Sequence, residues 1–144
     1  MAASVSSVAV AESDEAIARS FGVMRQLRTH LVEQDFVATI RRQQRGGFRL
    51  AYLEEGGEVC AVAGFRVIDN LFAGRILYVD DLVTDSARRS MGHGKALLDW
   101  LVGEARKERC RSLELDSGVQ RFDAHRFYLA NRMAISSHHF RLEL

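Results

Sequence analysis

The sequence has no proline, two cysteines and a formal net charge of only +1, from 20 basic and 19 acidic residues. Near-balanced charge excludes a protein that works by broad attraction to a phosphate backbone, so nucleic acid is not expected as the main partner. Cys60, inside an apolar stretch, and Cys110, at the end of a helical one, lie far apart without metal-ligand spacing and read as structural thiols. His138 and His139 have no metal-binding partner at recognisable spacing, so no metal is expected either. There is no low-complexity tract beyond the Ala/Ser/Val-rich start and no repeat of solenoid length. The first 18 residues hold no Lys or Arg and no long apolar run, the pattern of neither a secretory signal nor a membrane anchor. A soluble, cytoplasmic protein with no membrane partner is expected. What is present is 47% apolar content over 144 residues, which suits a single domain over 1–144 with one substantial core.

The periodicity gives an element order. Residues 5–11, with Val5, Val8 and Val10, predict a short first strand. Ser13 predicts an N-cap, with Asp14 and Glu15 in the first turn and Ile17, Phe21, Met24, Leu27 and Leu31 along one stripe of a single helix. A second helix from about Asp35 carries Phe36, Val37 and Ile40 and stops at Gly46 and Gly47, where left-handed backbone comes easily. Its Arg41, Arg42 and Arg45 read as a solvated face. Phe48, Leu50 and Tyr52 begin a strand, and Gly56 and Gly57 turn it into a second at Val59 to Val67. A loop around Asp69, Asn70 and Gly74 returns the chain as Arg75 to Thr84. Helix 92–108, a short strand Leu113 to Leu115, helix 120–131 and an alternating strand Ala134 to Leu144 complete the order. The short strand must run parallel to its predecessor through a right-handed crossover. The class is therefore α/β with an α+β mixed sheet: an antiparallel meander followed by a βαβ unit.

Between the third meander strand and helix 92–108 stands Arg89, Ser90, Met91, Gly92, His93, Gly94, Lys95, an RxxGxG turn. A glycine-rich strand-to-helix turn lets backbone N–H groups approach a diphosphate, with the positive end of the helix dipole behind them. A Walker A loop is excluded, since its first glycine and its Ser/Thr would fall at Arg89 and Ala96. A dinucleotide fingerprint is excluded as well, because a single GxG follows a late strand rather than GxGxxG a first one. On the motif alone, a helix start that uses glycine only for packing stays open.

The run from Leu82, Val83 and Thr84 through Arg89 to Leu98 resembles motif A of the Gcn5-related N-acetyltransferases. The strand ends in an apolar triplet, and five residues separate Thr84 from Arg89 of the (R/Q)xxGx(G/A) element. The element order resembles that fold over essentially the whole chain, and Phe127 Tyr128 matches the family's recurring aromatic-tyrosine pair. The resemblance implies acetyl transfer from acetyl-CoA to the primary amine of a small molecule or peptide, with the coenzyme in a split between motif A's strand and the next parallel strand. It assigns the pantetheine and thioester region to the main chain of Leu82 and Thr84, with Val83 between them. Arg89 and the backbone of Ser90, Met91, Gly92, His93, Gly94 and Lys95 are assigned to the diphosphate.

An alkyl amine with a pKa near 10 is almost wholly protonated at neutral pH, so its attack on a thioester needs a base. Asp80 is the preferred candidate over Asp81, because it occupies the place where several family members carry a carboxylate facing the acceptor. Asp81 points to the opposite face if the strand is regular, and a bulge changes which of the two enters the cleft. Either carboxylate serves equally well to attract a cationic acceptor or to orient a water chain. Tyr128 is the expected acid for the departing thiolate, since a phenol stays protonated at neutral pH. His125, three residues earlier, reads as a surface residue, and His93 contributes its backbone alone.

Three positions depart from the family pattern. Arg121 stands where many members carry an asparagine that touches the cofactor, and Arg132 Met133 replaces a frequent Gly-Phe. One long strand closes the chain in place of a two-stranded ribbon, and its edge suits pairing with a second subunit, hence a homodimer. The alternative function is an acyl-CoA-sensing module of the same fold without turnover.

Overall fold

The structure, a computed structural model, describes residues 5–144 in two units, one ending at Glu114 and the other spanning Leu115–Leu144. In the first unit, β1 (Ser6–Val10) pairs antiparallel with β2 (Arg49–Glu55), bringing Val8 opposite Leu53. Gly56 and Gly57, at φ 61° and 80°, adopt the left-handed geometry that a tight hairpin requires and lead into β3 (Glu58–Asn70). β4 (Gly74–Thr84) returns antiparallel to β3, and β5 (Ser112–Leu115) lies beside β4, giving the five-stranded order β1-β2-β3-β4-β5. The meander and the strand-helix-strand unit expected from the sequence are both present.

The stripe from Ile17 to Leu31 predicts one helix, but the structure has two, α1 (Asp14–Arg19) and α2 (Phe21–Leu27), with Leu31 beyond both. Ser13 caps α1 as expected, its hydroxyl accepting from the Ala16 N–H at 3.1 Å. Ser20 causes the break. Its buried hydroxyl donates to the Ala16 carbonyl at 3.1 Å while its own N–H turns to Ile17, and this serine back-bonding bends a helix. α3 (Glu33–Gln44) starts slightly earlier than the sequence suggests, and Gly47 follows it at φ 99°.

These three helices bury Ile17, Phe21, Met24, Phe36 and Ile40 against Leu50, Val62 and Val83 on one face of the sheet. α4 (His93–Lys107) covers the other, where Trp100 meets Phe65 edge-on with ring centroids 5.9 Å apart. With both faces covered, Cys60 to Phe65 of β3 is a continuous buried run instead of an alternating one. A short 3-10 turn, Ser86–Arg88, precedes α4 and has no clear signal in the sequence.

One irregularity in the sheet positions the site. Gly64 pairs with Asp81, but the next residue, Phe65, pairs with Val79, so Asp80 is an extra residue in β4. A β-bulge of this kind lets neighbouring side chains leave strict alternation. Gly64 leaves the space that the arrangement needs, since a Cβ there would overlap the Asp81 carboxylate and the Phe48 ring.

In the second unit, α5 (Phe122–Ala130) is closed by Asn131, whose side chain donates to the Phe127 carbonyl at 2.8 Å. The strand expected over Ala134 to Leu144 is not formed. Ile135, Phe140, Leu142 and Leu144 are exposed, and an extended segment gains nothing from its period-two pattern without a ladder to join. The strand edge expected to pair with a second subunit is therefore absent in the single chain. Among the described residues no helix is long and apolar enough to cross a membrane.

The bulge generates a direct test. Substitution Gly64→Ala is expected to destabilise the protein by about 1–3 kcal/mol, the usual cost of overpacking, measured by urea unfolding. An unchanged midpoint would show that Phe48 and Asp81 move aside freely.

Candidate active site

With the bulge in place, Asp80 and Asp81 both line one cavity of about 510 Å3. Its walls come from the end of α2 and the segment after it (Met24, Arg28, His30), from α3 (Thr39, Gln43) and from Tyr78 of β4. Met24, Leu31, Phe36, Ile40 and Phe48 add apolar surface, so the lining is a mixture of polar and apolar groups.

Neither carboxylate stands alone. Arg28 donates through Nε to Asp81 at 2.7 Å and through a terminal nitrogen to the Asp80 carbonyl at 2.8 Å. Arg66 donates to the Asp80 carboxylate at 2.8 Å and to the Gln43 side chain at 3.2 Å, and it lies over the Phe48 ring. Burial pushes the Asp81 carboxyl above its ordinary pKa; hydrogen bonding and attraction from Arg28 oppose this without cancelling it. Two arginines thus neutralise the two carboxylates, and a cationic amine meets no surplus negative charge.

Beyond Asp81, β4 continues through Leu82, Val83 and Thr84, which pair on one side with Ala63, Val62 and Ala61 of β3. On the other side β5 meets β4 near its start, where the Arg111 N–H donates to the Arg75 carbonyl at 2.7 Å. A four-residue strand reaches about 13 Å, whereas Leu82 lies about 23 Å along the strand from Arg75. The main chain at Leu82 to Thr84 therefore extends past β5, as a splayed strand pair requires.

The turn after Thr84 is held by side chains of α2. Gln26 donates to the Asp85 carboxylate at 3.1 Å and accepts from the Ser86 N–H at 2.8 Å, and these contacts with the Ala87 amide hold Asp85 below its ordinary pKa. Arg89, Ser90, Met91 and Gly92 are exposed, with Ser90 at φ 66° and Gly92 at φ 85°. Gly92 is the N-cap of α4. No side chain caps this helix and its first turn contains no acidic residue, in contrast to α1. The amide hydrogens of His93, Gly94 and Lys95 thus lack the usual side-chain acceptor, which is the chemistry that a bound diphosphate would supply.

One residue behaves differently from its sequence reading. The sequence assigns His93 a backbone role alone, yet its ring is buried and Nε2 lies 2.9 Å from a Glu55 carboxylate oxygen. His125 is tied locally, to the Gly118 carbonyl at 2.8 Å. Arg66 and Gly64 were missed by sequence reasoning. An isolated glycine within the apolar run of β3 was the available signal for a bulge or a close approach.

In the second unit, the Arg121 guanidinium acts on the phenol of Tyr128, favouring its ionised form. Burial raises the phenol's pKa, and Arg121 counters it only in part, so the group stays protonated at neutral pH. Among the described residues no group of three or more His, Cys, Asp or Glu side chains is placed to hold a metal ion.

Comparison with known proteins shows the family. The model of the Acetyltransferase (GNAT) family matches residues 12–132. The chain is 37% identical to the uncharacterized N-acetyltransferase YhdJ of Bacillus subtilis over 117 residues, 81% of this chain and 82% of that protein. It is 35% identical to the aminoalkylphosphonate N-acetyltransferase of Salmonella typhimurium over 95 residues, 65% of this chain and 59% of that protein. Its fold is similar to that of an aminoglycoside N-acetyltransferase solved in complex with CoA, with a TM-score of 0.87 over 99% of this chain and 97% of that one, at 11% identity. The chain belongs to the GNAT family of acetyltransferases.

Proposed function

We propose that this acetyltransferase uses acetyl-CoA as its donor and acetylates the primary amine of a small molecule or peptide by direct attack on the thioester. The order of features along β4 carries the reading. Asp80 and Asp81 face the cavity, the next three residues extend past β5, and the turn after them ends at an uncapped helix start. Acetyl-CoA brings an activated acyl carbon, and the main chain of Leu82 to Thr84 is the proposed holder of the pantetheine arm and the thioester. Arg89 and the amides from Ser90 to Lys95 are the proposed diphosphate contacts.

In this reading the amine loses its proton to the carboxylate pair as its nitrogen bonds to the acyl carbon. The carbon–sulfur bond breaks, the sulfur takes a proton from Tyr128, the nitrogen's second proton leaves to solvent as the amide forms, and the phenolate takes a proton back from solvent. Asp81 is better matched to the base role, because burial raises its pKa toward that of the amine. Tyr128 is proposed as the acid on the Phe127 Tyr128 resemblance and on the burial that keeps its phenol protonated. Because Arg28 and Arg66 neutralise the carboxylates, the cavity does not repel an acceptor that carries its own anionic group. The Salmonella relative is named for a substrate of that kind, an aminoalkylphosphonate.

Release of free thiol from acetyl-CoA, monitored across amines with and without a carboxylate or phosphonate, tests the reading. Turnover with at least one amine is expected, fastest among those bearing an anion; CoA binding without transfer to any of them would favour the sensing module. With the best acceptor, Tyr128→Phe is expected to lower kcat by about 100-fold, at the low end for a positioned acid, with CoA affinity near native. An unchanged kcat under chemistry-limited conditions removes the tyrosine from that role.

Asp81 links the site to stability. Its folded pKa lies above the unfolded one, so its contribution is fully present below the unfolded pKa and is lost as pH rises through the folded pKa. At neutral pH the ionised carboxylate therefore weakens the fold. Asp81→Asn is expected to raise the neutral-pH melting temperature, with a gain that shrinks toward acid pH, while kcat falls by about 100-fold. A lower melting temperature would show that pairing with Arg28 outweighs the burial of Asp81, and an unchanged kcat would remove it from the base role.

A further inference from the structure

The diphosphate turn is fastened at both ends to one hairpin. Arg88, immediately before Arg89, forms an ion pair with Glu58, and His93, immediately after Gly92, is bonded to Glu55 at 2.9 Å. Glu55 and Glu58 flank the Gly56–Gly57 turn that joins β2 to β3. The histidine ring is only 4% exposed. A carboxylate accepts only, so His93 Nε2 carries the proton and donates to Glu55. The same hairpin is steadied from α1, where Arg19 donates to the Glu54 carboxylate at 2.6 Å and to the Gly57 carbonyl at 3.0 Å.

Between the two fastened residues lie four exposed ones, of which Ser90 and Gly92 have left-handed backbone. A non-glycine residue in that region costs on the order of 1 kcal/mol and persists only where the surroundings impose it. Within the turn itself no buried side chain does so, since Arg89 to Gly92 are all exposed. The imposed constraint comes from its ends. Resting on the diphosphate reading above, we propose that Glu55 and Glu58 are positioning residues for the coenzyme: by holding His93 and Arg88, they fix the turn with its amides aimed at the diphosphate before ligand arrives. A turn organised in advance binds more tightly because less freedom is lost on binding.

The test uses the full-length protein, with CoA as the probe in calorimetry and amide hydrogen exchange read by mass spectrometry. Glu55→Ala is expected to weaken CoA binding by about ten-fold, equivalent to roughly 1.4 kcal/mol. Glu55→Gln, whose side-chain oxygen still accepts from His93, is expected to restore most of that loss. In the free protein Glu55→Ala should speed exchange at residues 89–95 and leave the rest of α4 unchanged, and Glu58→Ala should act on the same residues. CoA affinity within two-fold of native with unaltered exchange in the turn overturns the proposal, and so does an equal loss of protection along the whole of α4, the mark of a merely structural role. If the wild-type protein does not bind CoA, the diphosphate reading fails, and the exchange pattern alone then decides whether the hairpin organises the turn.

Discussion

The arrangement depends on a missing side chain. At Gly64 the β3 backbone leaves a gap that the Asp81 carboxylate and the Phe48 ring occupy together, and opposite this point β4 takes one residue more than β3. Without the extra residue, side-chain alternation would send Asp80 and Asp81 to opposite faces of the sheet, one toward the α1–α3 side and one under α4. With it, both reach the cavity roofed by α2 and α3. The rest of β4 then comes in sequence: a strand end longer than its β5 neighbour, a turn with left-handed backbone, and a helix whose first turn has no side-chain cap. One bulge thus sets the cavity, and the proposed thioester region and diphosphate turn follow it along a single piece of chain.

Charge in the cavity is balanced pair by pair. Part-buried ion pairs gain little net stability, because desolvation and solvent screening offset much of the attraction, so Arg28 and Arg66 are better understood as setting geometry and pKa than as holding the fold. Asp81 shows the consequence, with burial raising its pKa against the pull of its own arginine. Such opposition between fold stability and a group's protonation is common at sites where proton transfer takes place.

Much of the architecture was legible in the sequence because it is written in local chemistry. Gly56 and Gly57 specify a tight turn, Ser13 a cap, and the period of Leu97, Leu98 and Leu101 a helix, none of which needs a distant partner. The misses share a different cause. Ser20 breaks the first helix through a hydroxyl that chooses the Ala16 carbonyl, an alternative that the apolar stripe cannot reveal. The bulge at Asp80 exists only in relation to Gly64 on another strand, although an isolated glycine in an apolar run was a usable hint. His93 read as a backbone contributor because its partner, Glu55, is 38 residues away. The tail pattern at Phe140, Leu142 and Leu144 satisfies the period of a strand, but a strand is defined by its ladder, and none is present there.

The position of the coenzyme decides between this site and any other. A crystal structure of the protein soaked with CoA measures that position directly. It is expected to show the diphosphate within hydrogen-bonding distance of the His93, Gly94 and Lys95 amides and the sulfur beside the main chain of Leu82 to Thr84. A coenzyme bound elsewhere, with this turn and strand end untouched, would contradict the assignment of the site.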